Sequence, residues 1–220
     1  MVEIGIPFSD PIADGPTIQA SNQKALDNGI NLAQIFEQLK GIREEIDIPI
    51  LLMGYINPVI QYGIERFCKD AKAIGVDGMI LPDLPLREYE TEYKSLFEAH
   101  GLSNIFLISP QTTDDRIHQI DSVSNAFVYV VSTDSTTGKS NGFGEKQVAY
   151  FNRIEQMKLE NPTLIGFGIA DATTFQQATA HANGAIIGSA FIKAISQNKP
   201  LSTSIPEFVA KIRDDQRVKN

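Results

Sequence analysis

The sequence predicts an α/β fold built on a parallel sheet, and three observations carry that reading. Short apolar runs alternate with longer amphipathic ones along all 220 residues, the order that βα units produce. No break in composition divides the chain, and its length suits one domain with a sizeable core. Glycine clusters follow the last two strand candidates, where chains of this class turn from strand into helix.

The elements follow in order. Val2, Ile4 and Ile6 alternate with Glu3 and Gly5, so residues 2–6 read as a strand whose carboxylate faces away from its apolar side chains. Residues 7–17 read as a long polar loop rich in Pro and Gly. Apolar runs at 48–53, 78–81, 104–108, 126–131, 163–166 and 184–187 supply six further strands. Amphipathic helices are expected at 32–45, 60–74, 86–100, 114–123, 147–158, 171–179 and 189–196. A last helix is expected at 201–216, with Ser204 and Pro206 near its cap positions. The loop at 132–145 is the second unusually long one, and long loops at strand ends are where βα-barrels place their sites.

Seven strands fall one short of a (β/α)8 TIM barrel. Gly166-Phe167-Gly168 follows the sixth, and Gly188-Ser189 follows the seventh. In phosphate-binding barrels such loops follow strands seven and eight. The count therefore predicts a single barrel domain over 1–220 that lacks its first βα unit. An open doubly wound sheet is the alternative, and it accounts less well for these glycines.

Composition narrows the function. A net charge of −8 argues against nucleic acid or an anionic membrane as the main partner, while backbone amides still allow a phosphorylated small molecule. Cys68, the single cysteine, excludes an intramolecular disulfide and fits a reducing cytoplasm. The sequence shows no signal peptide and no apolar run of membrane length. His100, His118 and His181 have no metal-ligand spacing and read as surface or loop residues. No zinc pattern, Walker A motif or Ser–His–Asp arrangement is visible.

The chemistry-bearing residues each admit two readings. Gly166-Phe167-Gly168 and Gly188-Ser189 either make tight turns or grip a phosphate; in successive βα loops they favour phosphate, with Ser189 capping its helix and donating its hydroxyl. Glu3 is either a general acid–base or an ion-paired strand carboxylate. Asp14 either binds a substrate donor or makes an Asx turn. Tyr129 either lines the site or is core. Asp77 and Asp83 read as structural ties between loops. The segment around Thr136-Thr137-Gly138 is too polar to pack alone and reads as a lid.

These residues together resemble the tryptophan synthase alpha subunit family. The resemblance rests on Glu3-Ile4-Gly5-Ile6-Pro7-Phe8-Ser9-Asp10-Pro11-Ile12-Ala13-Asp14-Gly15-Pro16-Thr17-Ile18-Gln19. It is extended by Leu52-Met53-Gly54-Tyr55-Ile56-Asn57-Pro58, Gly75-Val76-Asp77-Gly78, Pro82-Asp83-Leu84-Pro85, Gly166-Phe167-Gly168-Ile169 and Gly188-Ser189-Ala190. It implies a lyase that cleaves indole-3-glycerol phosphate to indole and glyceraldehyde 3-phosphate in tryptophan biosynthesis. By resemblance, Glu3 protonates the indole ring at C3, and Asp14 accepts the indole N–H and stabilises the charge developing there. Leu52 and Tyr55 would line the indole pocket, and Tyr129 and Thr137 would position the substrate. Gly138, Gly168, Gly188 and Ser189 would hold the phosphate. No metal or cofactor is implied, because an indole tautomer accepts the electrons; pyridoxal phosphate would belong to a beta partner. Asp10, Pro11, Asn57 and Pro58 would contact that partner in an alpha2beta2 heterotetramer in the cytoplasm.

One departure stands out. The family carries a further βα unit and a short helix before the strand bearing the glutamate, and its members commonly read Ala-Asp-Met-Val-Glu at this point. Met1 therefore reads as an internal methionine, from a misassigned start, a trimmed chain or a natural fragment. The expected consequences are two exposed parallel edges and a terminal amine that holds Glu3 as carboxylate, leaving the isolated chain a weak lyase. Rival readings are a fragment that only docks and activates the partner, and another phosphosugar isomerase or epimerase.

Overall fold

The computed structural model describes residues 1–11, 14–132 and 142–214. They fall into two compact units: Met1–Ala13, Gln19–Phe106 and Val123–Ala126 form one, and Asp14–Ile18, Leu107–Ser122 and Phe127–Asn220 the other. Every strand pairing within each unit is parallel and follows chain order, the pattern successive βα units require.

The first unit runs β1 (Val2–Gly5), all of α1 (Pro16–Asp27) but its first three residues, α2 (Leu32–Gln38), β2 (Ile50–Met53), α3 (Ile56–Tyr62), α4 (Ile64–Ala73), β3 (Gly78–Ile80), α5 (Leu86–Glu88), α6 (Lys94–Ala99) and into β4 (Ser103–Ile108). Helix 32–45 ends early because Gly41 takes φ 77° and turns the chain into a short 3-10 turn. Helix 60–74 starts sooner and breaks at Gly63, whose φ of 94° interrupts the backbone ladder between α3 and α4. Between α5 and α6 a π-helical turn at Tyr89–Tyr93 carries Tyr89 into the core. Helix α1 lies outside the expected set, because none of its residues is buried and no apolar stripe marks it.

Phe36 and Phe67 pack at 5.6 Å between ring centroids, and Leu52, Met79 and Ile80 are fully buried on the sheet. The expectation for Asp77 and Asp83 holds. Asp77 accepts the Ile50 N–H at 2.7 Å and pairs with Arg43, which also bonds the Gly75 carbonyl. Asp83 accepts the Ile56 N–H at 2.9 Å and so satisfies the start of α3.

The second unit continues with α7 (Asp114–Val123), β5 (Val128–Val131), α8 (Glu145–Met157), β6 (Thr163–Gly166), α9 (Ala172–Thr179), β7 (Gly184–Ile186), α10 (Ser189–Ile195) and α11 (Leu201–Arg213). Val128, Val130, Phe151 and Ile165 form its dry centre. Helix α11 begins after Pro200, so Ser204 and Pro206 lie inside it and cap nothing. Ser204 is buried on its inner face. Among the described residues β1 pairs only with β2 and β7 only with β6, and both are half-buried where β2 and β3 are buried almost throughout.

Candidate active site

In the first unit, strand register decides which side chains surround Glu3. Glu3 pairs with Leu51, Leu51 with Gly78, and Gly5 with Met53, and partners across a parallel ladder share a face. Leu51 and Met53 therefore stand on the Glu3 face. Leu52 stands on the other, with Ile4 and Met79, and is fully buried there. Sequence reading put Leu52 in the pocket; the alternation of the strand hands that place to its neighbours.

Glu3 is half-buried, and its Oε1 is shielded from water with no hydrogen-bond partner among the described residues. Desolvation by burial pushes its pKa from 4.5 up to about 7. This overturns the expected effect of a nearby terminal amine: burial governs the group, and it favours the neutral acid. A Cβ on Gly5, next on the same face, would meet nothing within 4 Å, so space is open beside the carboxyl. A carboxyl poised near neutrality can both donate and accept a proton.

Tyr55 caps the start of α3, and its buried ring lies 5.1 Å from that of Phe8. Phe8, which sequence reading did not single out, thereby sets the loop after β1 beside the loop after β2. Gly54 permits the approach, since a Cβ there would strike Ile6 at 2.7 Å. Asp10 is exposed and Pro11 half-exposed on the first of these loops, while Asn57 is exposed and Pro58 half-exposed in the first turn of α3. Ser9 donates to Asp10 at 2.5 Å.

In the second unit, Asp14 is half-buried two residues ahead of α1, and the Ile18 N–H bonds the Gly15 carbonyl at 3.0 Å. The Ile18 side chain in turn lies 3.9 Å from where a Gly188 Cβ would stand. Tyr129 is buried on β5, edge-on to Phe167 at 6.1 Å. Its hydroxyl occupies the space a Cβ on Gly166 would need, at 2.2 Å, so only glycine fits under that ring. Phe167 and Gly168 both take positive φ, at 68° and 75°. Gly188, not Ser189, is the cap of α10; Ser189 is its first helical residue, so the expected capping role passes to a backbone with no side chain on it. Thr137 and Gly138 lie outside the described residues.

A polar cleft of about 320 Å³ sits at the opposite ends of β6 and β7, lined among others by Lys158, Asn161, His181 and Asn183. Three of its polar groups are engaged in holding the fold: Asn161 bonds Asp121, Asn183 accepts the Thr163 N–H, and His181 meets Glu155 at 3.2 Å. Among the described residues no three His, Cys, Asp or Glu side chains cluster to hold a metal ion, and no helix is long and apolar enough to cross a membrane.

The family model for the tryptophan synthase alpha chain matches residues 1–216. The chain belongs to that family. The tryptophan synthase alpha chain of Christiangramia forsetii is 57% identical over 212 residues, which are 96% of this chain and 82% of that one. The alpha chain of Flavobacterium johnsoniae is 56% identical over 213 residues, 97% of this chain and 83% of that one. Among solved structures, a chain of the tryptophan synthase complex from Pyrococcus furiosus matches with a TM-score of 0.83 at 34% identity, covering 96% of this chain and 84% of that chain. As a member of the tryptophan synthase alpha family the chain has an α/β barrel fold, to which the described residues contribute seven strands.

Proposed function

We propose that this chain, as a tryptophan synthase alpha chain, cleaves indole-3-glycerol phosphate to indole and glyceraldehyde 3-phosphate. The observation that carries the assignment of roles is the Glu3 carboxyl, withdrawn from water, without a partner at Oε1 and titrating near 7. In its neutral form it gives a proton to indole C3. The Asp14 carboxylate accepts the ring N–H and offsets the positive charge that builds on the ring. The Glu3 carboxylate then takes the proton of the side-chain hydroxyl as the bond from indole C3 to the glycerol chain breaks. That electron pair returns to the ring, leaving indole, an aldehyde and a reprotonated Glu3.

Tyr55, with Leu51 and Met53 in the place first given to Leu52, supplies the apolar wall for indole. Tyr129 and Thr137 position the glycerol chain. Gly138, Gly168, Gly188 and Ser189 hold the phosphate through backbone amides and a hydroxyl, which requires no basic patch and suits a chain of net charge −8.

The partner is the tryptophan synthase beta subunit, and the loop bearing Asp10 and Pro11 together with the first turn of α3 bearing Asn57 and Pro58 forms the contact surface. We assign pyridoxal phosphate to that partner and the working compartment to the cytoplasm. Indole release from indole-3-glycerol phosphate by the purified chain, with and without the beta subunit, tests the reading. A protein that binds the substrate and releases no indole under either condition overturns it.

A further inference from the structure

We propose that Ser132 is a positioning residue for phosphate recognition, acting through the Phe167 carbonyl; the proposal rests on the phosphate reading of the Gly166-Phe167-Gly168 turn. Among the described residues three non-glycine residues have positive φ. Lys158 and Asp214 end helices α8 and α11, where the left-handed form is routine. Phe167 ends no helix. It is a bulky side chain held at φ 68° in the turn after β6, directly before a second left-handed residue, and such a conformation persists only where its surroundings enforce it.

Ser132 supplies the enforcement. Its side chain is fully buried, its Oγ donates to the Phe167 carbonyl at 2.7 Å, and its N–H bonds the Gly166 carbonyl at 3.1 Å. A peptide unit is planar and trans, so its C=O and the next N–H point in opposite directions. Anchoring the Phe167 carbonyl on Ser132 therefore turns the Gly168 N–H away from Ser132. That N–H is the donor a phosphate at this turn would use.

Ser132 is itself held from α8. Its carbonyl accepts from Gln147 Nε2 at 3.3 Å, and Gln147 Oε1 accepts the Gly144 N–H at 2.9 Å. Gln177 of α9 accepts the Phe143 N–H at 3.1 Å. Ser132 thus joins β5, the turn after β6 and the start of α8, while a buried hydroxyl already spent on Phe167 leaves it out of ligand contact.

The experiment compares wild type, Ser132→Ala and Ser132→Cys in three readouts: kcat and KM for indole-3-glycerol phosphate, the same constants for the dephosphorylated indole-3-glycerol, and binding of inorganic phosphate by calorimetry. Losing one buried hydrogen bond predicts that Ser132→Ala raises KM and the phosphate Kd about three- to tenfold. It leaves kcat within about twofold and the dephosphorylated substrate unaffected. Ser132→Cys, a weaker donor of similar size, falls between, and it stands in if the alanine variant does not fold. An unchanged phosphate Kd, or equal losses on both substrates, overturns the proposal. Phosphate binding needs no turnover, so a wild type that binds phosphate but releases no indole sinks the lyase reading alone.

Discussion

Glu3 on β1 and Asp121 on α7 are both acidic side chains largely withdrawn from water, and their surroundings drive them in opposite directions. Burial alone acts on Glu3 and pushes it up to about 7. Burial also works to raise Asp121, but hydrogen bonds from the Asn161 side chain and from the Asn161 and Glu160 backbone outweigh it and hold the group below its ordinary value. Those bonds span 2.8 to 3.0 Å and use both carboxylate oxygens. Asp121 has its partners supplied by the fold, joining α7 to the chain that leads into β6. Glu3 has an oxygen that the fold leaves unmatched. A carboxylate whose partners are complete is doing structural work, whereas one left incomplete at the end of open space is set aside for a ligand.

The largest effect expected from this contrast is in activity. Glu3→Gln keeps the shape of the side chain and removes its proton exchange, so indole release should fall by about 10²–10⁴-fold. Substrate binding and activation of the beta partner should persist. Full activity in the variant would place Glu3 with Asp121 among the structural groups.

The same residue carries a pH signature. Its folded pKa, about 7, lies above its ordinary value of 4.5, so the folded state binds the extra proton between those limits and stability falls as pH rises from 4.5 to 7. The full difference amounts to at most about 3 kcal/mol. Glu3→Gln should therefore be more stable than wild type at pH 8 and lose that advantage towards pH 4.5, as read from urea midpoints. Asp121 has the opposite sign: its lowered pKa contributes stability above the ordinary value of 3.8 that is lost only as pH falls below it. A wild type and Glu3→Gln pair with parallel pH curves would break the comparison.

Much of this was legible in the residues, and the failures have physical causes. Glu3 stood out because an intact apolar alternation turns a carboxylate to the opposite face of a strand, and every strand fell within two residues of its expected place. Leu52 was misplaced because neighbours on a strand face opposite ways: register puts Leu51 and Met53 on the Glu3 face and turns Leu52 to the other. Helix α1 was missed because it buries nothing, although Pro16 at its first position was a readable signal. Ser132 and Phe8 were invisible for a different reason: each acts through a partner distant in sequence, Phe167 and Tyr55, and no local pattern announces such pairs.

Removing the partners' acceptor at the other carboxylate should cost stability and not chemistry. Asp121→Ala strands the Glu160 and Asn161 N–H groups in a half-buried setting and should lower unfolding free energy by about 2–3 kcal/mol. Its kcat, corrected for folded fraction, should stay within about twofold of wild type. A large kcat loss in well-folded protein would give Asp121 a catalytic part and dissolve the contrast.

Asn104 supplies the finest test, because it is unmatched like Glu3 yet sits on the opposite face of the sheet. Register pairs it with Met79, in the row of Ile4 and Leu52, and it is 2% exposed with neither amide atom partnered among the described residues. An orphaned amide in an apolar layer is a cost with no ligand to meet it. Asn104→Leu, close in size, should raise unfolding free energy by about 1 kcal/mol and leave kcat and KM unchanged. The distinction then becomes sharp: relieving an unmatched group on the Leu52 face adds stability alone, while relieving the one on the Leu51 face adds stability and removes the reaction. If Asn104→Leu instead lowered kcat in stable protein, sheet face would no longer separate the reacting carboxyl from the structural layer, and register would lose its authority in choosing Leu51 and Met53 over Leu52.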